Sequence, residues 1–267
     1  MISGMVILNE PEKYCYPYLE SIKSFLPVCD EIVVVHNPYT DDGSREKLMN
    51  LDPKVRVVSG VFDLRNIGWI SYGIMRTTGY QAAKGDVILM FDADGVLHEN
   101  DVERLKQRCN EIPNMQEVYG YWGKFRFYKP THYRRQNKHS GWYNKGKLGD
   151  RFDFYNTNGK GIPNHQYMRP DEEKARQLDI DLWGYEHTFD TKEILLERAV
   201  NYGRMVSKQK GSEILADKEY WKMYIEDREE ESKQYLPMDL DKHPEIMEER
   251  LNNLNETHFG YNFFGEF

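Results

Sequence analysis

The sequence predicts an α/β fold, an open and mostly parallel central sheet flanked by helices, with a helical extension at its C-terminal end. Three observations support this prediction. Short apolar runs alternate with segments whose apolar residues recur at helical spacing, as in parallel sheets covered by helices on both faces. Polar loops follow several of the apolar runs. From Ser212 onward the chain combines helical patterning with a high density of acidic side chains.

The first 110 residues carry the alternating pattern. The predicted strands are 4–8, 32–35, 55–58 and 87–91, and the predicted helices are roughly 14–26, 45–51, 70–83 and 101–110. Sheets of this kind bind ligands beyond the carboxyl ends of their strands. Three polar loops follow predicted strands at that edge: Asn9-Glu10, His36 to Ser44, and Asp92 to Gly95. Their convergence predicts a ligand site.

After residue 112 the pattern changes. Residues 118–128 alternate and are aromatic, as in a strand of a mixed sheet. Residues 129–168 are polar, basic and predicted to be rich in loops, with a candidate strand at 151–155. Another strand at 180–185 and a helix to about residue 205 follow. We therefore predict one domain over 1–206, divided into halves at 1–110 and 111–206, and a helical extension over 207–267.

Composition limits the class of protein. The net charge of −8 argues against a broad basic face for nucleic acid. The three cysteines are widely spaced and odd in number, which favours a reducing compartment over a disulfide framework. The start of the chain does not resemble a signal peptide, and no apolar run approaches the roughly 20 residues of a membrane span. The expected location is therefore cytoplasmic.

Asp92-Ala93-Asp94 directly follows a predicted buried strand. Two carboxylates separated by one residue lie on the same side of an extended backbone. Such oxygen ligands suit Mg²⁺ or Mn²⁺, which proteins usually hold with one or two carboxylates and substrate phosphates. The alternative is a plain acidic turn, since Asp and Gly are common turn residues. The two neighbouring polar loops favour the site.

The order of these segments resembles the family 2 glycosyltransferases with the A-type (GT-A) fold. The resemblance covers roughly residues 3–108, and residues 180–202 show a weaker similarity to the same family. The matching segments are Met5 to Glu10, Glu31 to Val35, Thr40 to Ser44, Asn66 to Gly68, Ala83 to Asp86 and Phe91 to Asp94. Their order and spacing together carry the resemblance.

The resemblance implies a metal-dependent transferase, usually inverting, that takes its sugar from a nucleotide-diphosphate sugar, with a UDP-sugar the expected donor. Residues 1–110 would then form the nucleotide-sugar-binding half, and 111–206 the acceptor side. Mn²⁺ or Mg²⁺ would bind Asp94, with Asp92 on the ribose or the metal's waters. His187 fits the third ligand in the family, since neutral imidazole binds Mn²⁺ well. A surface or capping histidine is the alternative.

The resemblance also implies the donor-binding and catalytic candidates. Donor-binding candidates are Asn9, Glu10, Asn37, Asn66, Arg76 and Asp92. An inverting transfer needs a general base for the acceptor hydroxyl. Its candidates are Asp153, Asp181 and Glu186, which lie in the half expected to hold the acceptor. That acceptor is a glycan, a protein or another hydroxyl compound, and the acidic balance disfavours nucleic acid.

Two other classes of protein remain open. A sugar nucleotidyltransferase shares this fold but usually has a glycine-rich basic loop after the first strand, which Asn9 to Lys13 lacks. A non-catalytic nucleotide-sugar-binding protein could keep the fold without the reaction. The intact Asp92-Ala93-Asp94 argues against that second class.

Overall fold

A computed structural model describes residues 1–63, 70–150, 152, 154, 176–210 and 234–261, with the backbone alone described at 137–140 and 202–210. The strands are β1 (Ile2–Leu8), β2 (Glu31–His36), β3 (Val55–Ser59), β4 (Val87–Met90), β5 (Gly95–Val96), β6 (Tyr119–Lys129), β7 (His132–Asn144), β8 (Arg176–Gly184) and β9 (Leu236–Pro237). The helices are α1 (Tyr18–Phe25), α2 (Ser44–Met49), α3 (Ile70–Ala82), α4 (Val102–Glu111), α5 (Lys145–Leu148), α6 (Lys192–Lys210) and α7 (Glu248–Asn252).

These strands form one sheet in the order β3-β2-β1-β4-β7-β6-β8-β5, with β9 beside β7. The first four strands in that order run parallel to one another. β1, β2 and β4 are mostly apolar because both faces of the sheet are covered there, and every residue of β2 is buried. This half confirms the predicted parallel sheet and brings the ends of β1, β2 and β4 to one edge.

The other half of the sheet is mixed. β7 pairs antiparallel with both β4 and β6, whereas β8 runs parallel to β6. β5, the short strand that follows the acidic motif, pairs antiparallel with β8. This pairing places the start of the 185–190 segment beside Asp94, whose carbonyl accepts a hydrogen bond from Tyr185 N at 3.0 Å.

The prediction of a loop-rich segment over 129–168 is wrong for residues 132–144, which form β7. The segment is basic and polar, so it lacks the apolar run that identifies a buried strand. Its place in the sheet comes from main-chain pairing with strands on both sides, and Trp142 and Tyr143 anchor it in the core. The candidate strand at 151–155 lies largely outside the described residues.

Helix α1 supports the loop after β4 from one face of the sheet. The rings of Phe25 and Phe91 stack with centroids 4.0 Å apart. One turn earlier on α1, the buried Ser21 hydroxyl donates to the carbonyls of Asp92, at 3.1 Å, and Gly95, at 2.7 Å. The backbone of the acidic motif is therefore fixed by packing and by hydrogen bonds.

The C-terminal part described here, 234–261, folds onto the body of the protein. It contains β9, two short 3₁₀ segments and α7, and its side chains of Met247 and Phe259 are buried. Phe259 N donates to the carbonyl of Asp190 at 2.8 Å, and the Phe259 ring packs edge-on against Tyr128. Among the described helices, none is both long and apolar enough to cross a membrane.

Candidate functional site

The acidic motif lies at the carboxyl end of β4, and each of its two carboxylates has a basic partner. Arg76 on α3 is buried, and its Nη2 donates to Asp92 Oδ1 at 3.3 Å. Lys124 on β6 donates from Nζ to Asp94 Oδ2 at 2.8 Å. Asp92 keeps a quarter of its side chain exposed, whereas Asp94 is almost fully buried.

Lys124 is a functional candidate that the sequence analysis missed. Burial on its own would lower the pKa of its ammonium, but the charges of Asp94, Glu186 and Asp92 raise that pKa above its usual value. The ammonium therefore stays protonated at neutral pH. The available signal was a lysine within the aromatic strand 119–128, where a buried cation needs an anionic partner.

Glu186 follows β8 and stands beside the same cluster. Its carboxylate forms an ion pair with Arg126 Nε, and Arg126 lies over the ring of Tyr128. A third of the Glu186 side chain is exposed, so an acceptor can approach it. Of the two base candidates that the structure describes, Glu186 and Asp181, it is Glu186 whose charge acts on Lys124, next to the acidic motif.

Asp181 lies in a different environment from Glu186. Its Oδ1 accepts from Arg135 Nε at 3.1 Å, and a Cβ added at Gly123 would lie 1.7 Å from the same oxygen. The glycine therefore makes room for this carboxylate within the β6–β8 ladder. The remaining base candidate, Asp153, lies outside the described residues.

His187 is held by residues that the sequence analysis did not single out. Its Nδ1 bonds Asp190 Oδ2 at 2.8 Å, and Arg198 Nη1 donates to both oxygens of Asp190 at 2.8 Å. Burial, followed by the charge of Arg198, lowers the pKa of His187 and favours the neutral ring. The sequence signals for this cluster were the spacing of His187 and Asp190 and a basic residue, Arg198, in the helix that follows.

The loops after β1 and β2 meet at the same edge. Asn37 Nδ2 donates to Asn9 Oδ1 at 2.8 Å and to the carbonyl of Phe62 at 3.3 Å. Glu10 has a left-handed φ of 49° and its carboxylate lies 3.5 Å from Lys13 Nζ. The amides of Asn9 and Asn37 therefore lie together at this edge of the sheet. Asn66, the other donor-binding candidate, lies outside the described residues.

Where the structure describes the chain, its side chains do not form a ready site for a divalent cation. Within the described ranges, no three His, Cys, Asp or Glu side chains group closely enough to hold a metal. Asp92 and Asp94 bind cationic side chains. The set Asp92, Asp94 and His187 stays a prediction from the family resemblance.

The fold and this edge define the class: an α/β protein with amide and carboxylate side chains at the carboxyl ends of adjacent parallel strands, where such sheets bind nucleotides. Residues 4–174 match the family described as "Glycosyl transferase family 2". The match spans more than half of the chain, and the chain belongs to this family. Family membership confirms the predicted GT-A-like fold and the expected glycosyltransferase class.

Two solved structures similar to this chain match most of its length. S. aureus TarS 1-349 is 15% identical with a TM-score of 0.43, covering 84% of this chain and 78% of its own. The 4-diphosphocytidyl-2C-methyl-D-erythritol synthase of Anaerococcus prevotii is 10% identical with a TM-score of 0.43, covering 79% of this chain and 95% of its own. No protein with a curated description matches the chain in sequence.

A third similar structure matches a smaller part of the chain. It is glucosyl-3-phosphoglycerate synthase from Mycobacterium tuberculosis in complex with Mn²⁺, UDP and glucosyl-3-phosphoglycerate. This protein is 17% identical with a TM-score of 0.35, and the alignment covers 46% of this chain and 44% of that one.

Proposed function

We propose that this protein transfers a sugar from a UDP-sugar to an acceptor hydroxyl, with inversion at the anomeric carbon. One observation carries the proposal: in a member of this family, Asn9, Asn37, Asp92 and Asp94 follow adjacent parallel strands at one edge of the sheet. The two amides supply donors and acceptors for the edge of a base. The acidic motif and its basic partners supply the charges for a ribose and a diphosphate.

In the reaction, the acceptor oxygen bonds to the anomeric carbon while the bond from that carbon to the diphosphate oxygen breaks. The bonding electrons leave with UDP, and the proton of the acceptor hydroxyl passes to a general base. Glu186 is the base we favour, because it is partly exposed and adjacent to the acidic cluster. Positive side chains close to the diphosphate stabilise the charge that develops on the leaving group.

The acceptor is a glycan, a protein or another hydroxyl compound. Many aromatic side chains of β6 and β7 are core residues, including Trp122, Phe127 and Trp142. They are therefore not available as stacking platforms for a sugar. The acceptor must be recognised mainly by other groups around Glu186 and the 185–190 segment.

Titration calorimetry with a panel of nucleotide sugars, each with EDTA or with Mn²⁺, tests donor binding. We expect one UDP-sugar to bind more tightly than the same sugar on other nucleotides. A product assay with candidate acceptors then separates a transferase from a binding protein, since only the transferase releases UDP and forms a glycoside. Release of inorganic diphosphate from a nucleoside triphosphate and a sugar phosphate would instead identify a nucleotidyltransferase. The absence of nucleotide binding under all conditions would contradict the proposal.

A further inference from the structure

The side chain of Lys124 fills a space formed by neighbouring strands of the sheet. The residue lies on β6 beside β8, its side chain is 3% exposed, and its ammonium meets Asp94 at the carboxyl edge of the sheet. A Cβ added at Gly184 would lie 1.8 Å from Lys124 Cε and 2.9 Å from Nζ. The lysine stem therefore runs across the space that a side chain at position 184 would fill.

The charges of this cluster balance one to one. Arg76 pairs with Asp92, Lys124 with Asp94, and Arg126 with Glu186. Three cations and three carboxylates leave no formal net charge among these six side chains. A divalent cation is attracted by an excess of negative charge, and this cluster offers none.

A metal on Asp94 Oδ2 would displace Lys124. The displaced ammonium would lose its carboxylate within a buried site, and a buried cation without an anionic partner is strongly disfavoured. Conversely, without Lys124 the cluster would carry an excess negative charge and repel a diphosphate. A lysine ammonium can supply positive charge to a diphosphate, as a metal ion does in other diphosphate sites.

We infer that Lys124 is the resident cation of the diphosphate site, and that this protein binds the diphosphate of its donor without a divalent metal. The inference rests on the proposed function, and it replaces the metal dependence expected from the sequence. It assigns Asp94 the role of holding Lys124 in place and leaves Asp92, which is partly exposed, to face the nucleotide.

The test is calorimetric titration of UDP into the full chain, in EDTA and in Mn²⁺. For the wild type we expect dissociation constants that agree within about twofold, a difference well under 1 kcal/mol. For Lys124→Ala we expect UDP binding in EDTA to weaken by about tenfold or more. Mn²⁺ should restore part of that loss, because Asp94 is then available to a metal.

Lys145→Ala is the matched control. Lys145 is also a buried lysine, but it donates to the carbonyls of Tyr80 and Ala83, at the opposite edge of the sheet. Its removal should leave UDP binding and the effect of Mn²⁺ unchanged. Thermal unfolding of each variant shows whether the protein remains folded.

A second measurement needs no lysine variant. Electron paramagnetic resonance of Mn²⁺ added to the wild type should detect no tight Mn²⁺ site at Asp94. A site at Asp94 would be identified by its loss in Asp94→Asn. The inference is overturned if the wild type binds UDP only with Mn²⁺, or if such a site is found. UDP binding that requires Mn²⁺ would leave the proposed function standing. No binding of UDP or of any nucleotide sugar, with or without Mn²⁺, would overturn both.

Discussion

Asp92 and Asp94 are separated by one residue, yet their surroundings give them different roles. Asp92 is partly exposed and meets a guanidinium from α3, whereas Asp94 is buried against a lysine from β6. The spacing of the pair was visible in the sequence. Its partners were not, because Arg76 and Lys124 come from separate elements that only the folded sheet brings together.

At the same scale, Glu186 and Asp181 are the two base candidates whose surroundings can be compared. Glu186→Gln should lower kcat by about 100-fold or more, since an amide cannot take the proton of the acceptor hydroxyl. The KM for the donor should change little. Steady-state kinetics of UDP release in the presence of acceptor measures both.

Asp181→Asn is the matched control for that substitution. It removes a carboxylate of the same half that pairs with Arg135 rather than with the acidic cluster, so kcat should stay within a few-fold of the wild type. A large loss of kcat in Asp181→Asn, together with normal kcat in Glu186→Gln, would assign the base to Asp181 instead.

Among the elements, β6 and β8 shape the site through close contact. Gly184→Ala should disturb the site because the new Cβ would overlap Lys124 Cε, at 1.8 Å. We expect UDP binding to weaken by at least about fivefold, as the ammonium is moved away from Asp94. Calorimetry of UDP binding measures this effect, and thermal unfolding measures stability.

The control for Gly184→Ala is Gly146→Ala. A Cβ at position 146 would make only ordinary contacts, the nearest at 3.5 Å, and the residue lies in the short helix α5. This variant should bind UDP like the wild type. Equal binding by both variants would mean that the path of the Lys124 side chain does not matter for the donor.

The parallel half of the sheet contains a second buried carboxylate that joins several elements. Glu31, at the start of β2, accepts hydrogen bonds from Ser3 Oγ, Lys84 N and Arg56 Nη2. Burial opposes the charge of this carboxylate, but the hydrogen bonds from Lys84, Ser3 and Arg56 outweigh it and lower the pKa of Glu31. The charged form is therefore stabilised by folding.

Glu31→Gln should reduce the free energy of unfolding at pH 7 by about 1–3 kcal/mol, because a buried hydrogen-bonded charge is lost. Glu31 has a lower pKa in the folded state than in the unfolded state. Its contribution is thus complete above the unfolded pKa, near 4.5, and is lost as the pH falls through the folded pKa. Urea unfolding of both proteins at several pH values measures this. A difference in stability that stays constant down to low pH would contradict the assignment.

For the molecule as a whole, the sequence was sufficient to predict the parallel half of the sheet. The segments that form β1, β2 and β4 are apolar and end in polar loops. The positions of these strands, and of the sheet edge that carries the candidate site, therefore follow from the local sequence pattern. The strand β7 was missed because its basic sequence resembles a loop, and pairing with β4 and β6 is a non-local effect. Tertiary context overrides local pattern most readily in such strands.

The site was predictable to the same extent. Asn9 and Asn37 follow neighbouring strands, and the sequence alone placed them at one edge. Two other features depend on side chains from separate elements: the cluster of His187, Asp190 and Arg198 joins the 185–190 segment to α6. The Lys124–Asp94 pair joins β6 to the loop after β4. No local pattern specifies which cation meets which carboxylate.

A crystal structure of the protein with UDP bound would test the donor site most directly. We expect the diphosphate beside Asp92 and the Lys124–Asp94 pair, with the uracil ring within hydrogen-bond reach of Asn9 or Asn37. UDP bound elsewhere, such as in the cavity of about 650 Å³ lined by Pro130, His243 and Tyr261, would contradict the claim that the carboxyl ends of β1, β2 and β4 form the donor site.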